Sequence, residues 1–99
     1  MDESFFVLVV LYAKAGREVE LREKLKDIVG PSRRDAGNLR YELFGQQDDP
    51  RRFIFVEHWE SPQAQEAHHT GTEHIRRFQE EGGDAVERVE LFYRMQSLA

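Results

Sequence analysis

The chain has 99 residues, 39% of them hydrophobic and 33% charged, with a formal net charge of −5 and no cysteine. That composition describes one globular domain over residues 1–99, able to bury roughly 60–65% of the surface its unfolded chain exposes. It excludes a disulfide framework, a thiolate nucleophile and a cysteine metal cluster. An acidic balance with no long Lys or Arg run lacks the basic footprint that nucleic acid or an anionic membrane requires, so neither is expected as a partner.

The opening segment MDESFFVLVVLYAK places an apolar run behind Asp2 and Glu3. At about eight residues it falls well short of a transmembrane helix, and it lacks the basic start of a signal peptide. A cytoplasmic protein is the expectation. Phe5 to Tyr12 is apolar on both parities, with Phe5, Val7, Val9 and Leu11 on one side and Phe6, Leu8, Val10 and Tyr12 on the other. A sheet with helices on one face only would leave half of this strand in water, and apolar patches of that size mark interaction surfaces. Too few elements remain to form another layer, so the pattern predicts a homodimer.

Ala15-Gly16 ends the strand, and a charged helix follows from about Arg17, with Leu21, Leu25, Ile28 and Val29 as its apolar stripe. Gly30-Pro31 is expected to kink or end it, with a further helical turn over 32–36. Leu39 to Gln46 alternates Leu39, Tyr41 and Leu43 against Arg40, Glu42 and Phe44, the pattern of a half-polar strand nearer a sheet edge. The segment 47–51 then reads as a tight connection to the apolar strand Phe53–Trp59, forming an antiparallel hairpin. Ser61-Pro62 is a helix start, and Ala64, Ala67, Gly71, Ile75 and Phe78 recur at helical spacing in a single predicted helix. At about 100° per residue His68 falls inside this stripe, His74 on its flank and His69 on the opposite side. After a polar break at 79–84, Val86 to Met95 is the last strand, with Val89, Leu91, Tyr93 and Met95 on one parity. The order β-α-β-β-α-β is the ferredoxin-like arrangement, an α+β fold with an antiparallel four-stranded sheet and helices on one face.

The segments SRRDAGNLRYELF (Ser32–Phe44) and DPRRFIFVEHWESPQAQEAHH (Asp49–His69) resemble the antibiotic biosynthesis monooxygenase (ABM) domain. Gly37, Tyr41, Glu57, Trp59 and His68 match its pattern in order and spacing. The resemblance implies a dimeric α/β barrel of two ferredoxin-like sheets, with a pocket between each sheet and its own helices. It also implies several activities: cofactor-independent oxidation of quinols and polycyclic phenols, haem degradation, or isomerisation of a phosphorylated sugar derivative. The haem-degrading branch expects an asparagine in the first strand, a tryptophan where His68 stands and a histidine near Phe78, and this chain has none of them.

The residues themselves allow a chemistry for the first activity. An imidazole suits proton removal near neutral pH, so His68 is the candidate base, with Glu57 to orient it or take its proton. Trp59 would form an aromatic wall, and Tyr41, His74 and Phe78 are the other candidate substrate-binding residues. No H-E-x-x-H or carboxylate–histidine spacing occurs, so no metal site is expected, and no cofactor is called for. The expected reaction is a monooxygenation of a small aromatic substrate by molecular oxygen. A non-catalytic dimeric ligand-binding or stress-response module, and an isomerase of a small carbonyl compound, remain as alternatives.

Overall fold

A computed structural model describes residues 4–99. β1 (Phe5–Ala13) is followed by α1 (Glu18–Arg33), β2 (Asn38–Gln46), β3 (Asp49–Trp59), α2 (Pro62–Gly71), α3 (Glu73–Glu81), a 3-10 turn (Gly83–Ala85) and β4 (Val86–Met95). The strands form one antiparallel sheet in the order β2-β3-β1-β4. All helices lie on one face, giving the ferredoxin-like fold with one helix more than the sequence pattern predicts. Among the described residues no helix is long and apolar enough to cross a membrane.

Strand alternation decides what the helices cover. Val7, Val9, Leu11 and Ala13 of β1, with Phe53, Phe55, Glu57 and Trp59 of β3, are buried beneath them. Leu21, Leu25, Ile28 and Ser32 of α1 pack down from above, at the spacing of one helix stripe. Each fully buried aliphatic side chain in this layer contributes about 1.5–3 kcal/mol. Ser32 explains why Pro31 does not end α1. Proline removes the N–H that would bond the carbonyl of Asp27, but the next core position of the stripe lies beyond it and is completely buried. The helix therefore runs on to Arg33 before Gly37, at φ +84°, turns the chain into β2.

Three other departures from the sequence pattern have local causes. β3 begins at Asp49, so the hairpin turn is only Gln47-Asp48. Pro50 is tolerated there because the β1 ladder ends at the Tyr12–Arg52 pair, and no N–H is wanted beyond it. In β4 the register shifts so that Val10 pairs with Leu91 but Leu11 with Val89. Glu90 is the extra residue, and the bulge places Val89 on the helix side while Leu91, Tyr93 and Met95 share the other face. Leu39 sits in a similar irregularity between Asn38 and Arg40 and is exposed, not packed beside Tyr41.

The predicted single helix after β3 is two. Ser61 caps α2, its Oγ accepting from the Ala64 amide at 3.1 Å, with Pro62 in the first helical position. The chain breaks at Thr72, which is extended (φ −109°, ψ 146°) and whose hydroxyl donates back to the His68 carbonyl at 2.7 Å. Gly71 and β-branched Thr72 are weak helix formers, and the break redirects α3 so that Ile75 enters the core.

Candidate active site

The strand β3 delivers two side chains with hydrogen-bonding groups into the helix-covered face, two positions apart and therefore on one side of the sheet. Glu57 and Trp59 are 4% and 0% exposed, and the indole Nε1 donates to Glu57 Oε1 at 2.9 Å. Burial pushes the Glu57 carboxyl up to about 7, with the indole hydrogen bond pulling the other way. His68, on α2, lies over this pair, its ring 4.7 Å from that of Trp59 and 5.3 Å from that of Tyr41. Burial holds its pKa below the usual imidazole value, although hydrogen bonding to Asp35 opposes the shift. Tyr41 is raised well above the ordinary phenol value by burial and then by the nearby Glu57. Ser32 adjoins it, its buried hydroxyl without a well-formed hydrogen bond.

A cavity of about 280 Å³ opens between sheet and helices, with His68, Glu57, Tyr41 and Phe78 among its lining residues. Gln65, 4% exposed and one turn before His68, also lines it, and the remainder of the wall is chiefly apolar. Among the described residues no Lys or Arg lines it. A wider groove of about 610 Å³ between Phe5, Pro62 and Arg94 contains no comparable acid–base pair.

Two of the sequence-predicted residues have different places from those expected. Trp59 does not line the cavity; it lies behind His68 and beneath the helices, bonded to Glu57. His74 does not line it either, because the Thr72 break carries it away from the α2 stripe and onto Asp35. His69, expected to point away, is exposed but reaches the cavity rim, its ring 6.4 Å from that of Phe92.

Asp35 is the residue that the sequence pattern does not single out. Its Oδ2 lies 2.7 Å from His68 Nδ1 and 2.8 Å from His74 Nε2, joining the connection after α1 to both α2 and α3. As acceptor it fixes the ring proton of His68 on Nδ1, which leaves Nε2 as the nitrogen with a free lone pair. Nε2 has no hydrogen-bond partner among the described residues. The arrangement is a carboxylate-oriented imidazole beside a raised carboxylic acid, on a small apolar cavity. It can accept a proton at one point and return one at another.

The antibiotic biosynthesis monooxygenase family model matches residues 4–81. Protein PA3566 of Pseudomonas aeruginosa has a similar structure, with a TM-score of 0.91 and 31% identity over 100% of this chain and 98% of its own. A protein of Nitrosomonas europaea, named as a candidate antibiotic biosynthesis monooxygenase, superposes with a TM-score of 0.89 at 20% identity, over 99% of this chain and 93% of its own. A structure named antibiotic biosynthesis monooxygenase gives a TM-score of 0.87 at 23% identity, over 96% and 99% of the two chains. A comparison with curated proteins gives no match. The last two relatives support the fold alone, while the family model, which spans most of the chain, decides the family: the chain belongs to the antibiotic biosynthesis monooxygenases.

Proposed function

We propose that this protein is a homodimeric, cytoplasmic monooxygenase that oxidises a quinol or polycyclic phenol with molecular oxygen and without a cofactor. The observation that carries the reading is the placement of His68 on the cavity with Nδ1 anchored to Asp35 and Glu57 facing the same space. In this reaction the substrate hydroxyl gives its proton to His68 Nε2, and Asp35 stabilises the imidazolium. The electron-rich phenolate passes an electron to oxygen, and recombination forms a carbon–oxygen bond in a peroxide. The ring carbon that carries the peroxide then loses its hydrogen as a proton to the acid–base pair, its C–H electrons form a quinone carbonyl as the O–O bond breaks, and the outer oxygen leaves as water. Glu57, whose neutral form burial favours, supplies a proton to the departing oxygen. The substrate provides all the electrons, so none is required from a flavin or metal.

The cavity wall supports a neutral aromatic substrate over an anionic one. Phe55, Phe78 and Phe92 offer stacking surface, and among the described residues no Lys or Arg lines the wall to hold an anion. The arginines that an isomerase of a phosphorylated substrate would need are elsewhere. Arg40 is on the opposite sheet face and paired with Glu42, and Arg76 and Arg77 are exposed beside Glu73. The test is oxygen uptake with a reactive quinol. His68→Ala should abolish it while the circular dichroism spectrum stays that of the wild type. Unchanged uptake would remove His68 from the mechanism.

A further inference from the structure

We propose that Asp35, His68 and His74 form a binding site for one divalent cation of the zinc class, and that its occupation switches His68 from proton acceptor to donor. The three ligand atoms, His68 Nδ1, His74 Nε2 and a carboxylate oxygen of Asp35, lie within 4.8 Å of one another. Two imidazoles and a carboxylate are a donor set suited to zinc, which binds nitrogen and oxygen at about 2.0–2.2 Å and keeps an open position for water where protein supplies three ligands. Around such an ion the ligand atoms stand about 3.3 Å apart if tetrahedral; the two contacts to Asp35, at 2.7 and 2.8 Å, need to open by about half an ångström, and the two ring nitrogens, within 4.8 Å of each other, to draw together.

The charge environment points the same way. Among the described residues, Asp35 has no Lys or Arg partner; its ion-pair contacts are the two histidines alone. Its other oxygen, Oδ1, accepts no hydrogen bond there either. With side-chain exposures of 15% and 18%, Asp35 and His74 keep the site open to an ion and its water, while His68 at 4% closes the inner side. The donors come from the α1–β2 connection, from α2 and from α3, so a bound ion would clamp the two short helices across the Thr72 break. No spacing motif in the sequence could reveal this, because the ligands are brought together by the fold.

The switch follows from imidazole chemistry. A neutral ring has one N–H; if Nδ1 gives its lone pair to a metal, the proton resides on Nε2. The nitrogen toward the substrate can then only donate, and a substrate hydroxyl loses its base. This second half rests on the proposed oxygenase reaction, whereas the binding half does not.

Equilibrium dialysis of the whole protein against zinc, and cobalt absorption spectra, test the site. One ion per chain is expected, with His74→Ala and Asp35→Asn each weakening affinity by about tenfold or more, and His58→Ala and His69→Ala leaving it unaltered. His74 is partly exposed, so its truncation should leave the fold intact. Absence of a retained ion, or wild-type affinity in both ligand variants, would overturn the site. Zinc should also suppress quinol-dependent oxygen uptake by the wild type and have less effect on His74→Ala. Zinc bound with turnover undiminished would overturn the switch alone. Metal-free protein without turnover would overturn the oxygenase reading and leave the binding result standing.

Discussion

Glu57 has the clearest consequence at the scale of a single residue. A carboxyl pushed up to about 7 from an ordinary value of 4.5 is one whose neutral form the fold favours. Between those values the unfolded chain has released its proton and the folded chain has not, so stability falls as pH rises through the window and the loss is complete above it. Glu57→Gln preserves an acceptor for the Trp59 indole and cannot ionise. Its stability relative to the wild type should therefore grow by about 2 kcal/mol between pH 5 and pH 8 in urea unfolding. A difference independent of pH would show that Glu57 is ionised in the folded protein. Both Glu57 and His68 are legible in the sequence, because a two-residue strand period and a 100° helix period each give a direction. Asp35 is not, since it stands 33 positions from His68 in the chain and reads locally as an ordinary turn former.

At the scale of the elements, the angle of α2 over the sheet depends on Gly37. That residue has φ +84°, and a Cβ placed there would lie 2.5 Å from the Cβ of Ala64, one helical turn before His68. Its carbonyl also accepts from the Glu60 amide at 2.8 Å, just ahead of the α2 cap. Gly37→Ala should cost about 2 kcal/mol or more and reduce oxygen uptake by displacing His68. Gly16→Ala is the control: φ is +81° but nothing lies within 4 Å, so only the backbone cost of about 1 kcal/mol is expected. Equal losses in denaturant unfolding would mean that α2 yields freely at Ala64. The strands and α1 follow their hydrophobic patterns closely. The departures occur where tertiary burial overrides local preference, as at Ser32 beyond Pro31, and where one residue changes phase, as at Glu90 and Thr72. A continuous stripe from Ala64 to Phe78 gives no warning of a break, because Ile75 and Phe78 fit the same helix whether it is whole or divided.

At the scale of the whole molecule, the sheet has an uncovered side. Leu8, Val10, Ile54, Val56, Leu91 and Tyr93 share it, and no element among the described residues packs on it. Tyr93 is 52% exposed and Phe44 45%. His58 stacks on Phe6 there at 4.1 Å, and its Nε2 is buried without a partner. A second copy placed on this face would bury the patch and complete the barrel proposed above. Light scattering should then give twice the chain mass of 11.7 kDa, and Leu8→Arg should give a single chain. A wild-type protein of single-chain mass would overturn the dimer.

The indole behind His68 has a practical use. The sequence contains one Trp, and it is wholly enclosed, bonded to Glu57 and tilted against the imidazole. Tryptophan fluorescence of the native protein therefore originates from a single chromophore, set behind His68 at the back of the site. Emission should be blue-shifted, and protonation of the neighbouring ring should quench it, so an ordinary fluorimeter becomes a label-free gauge of whatever enters or titrates there.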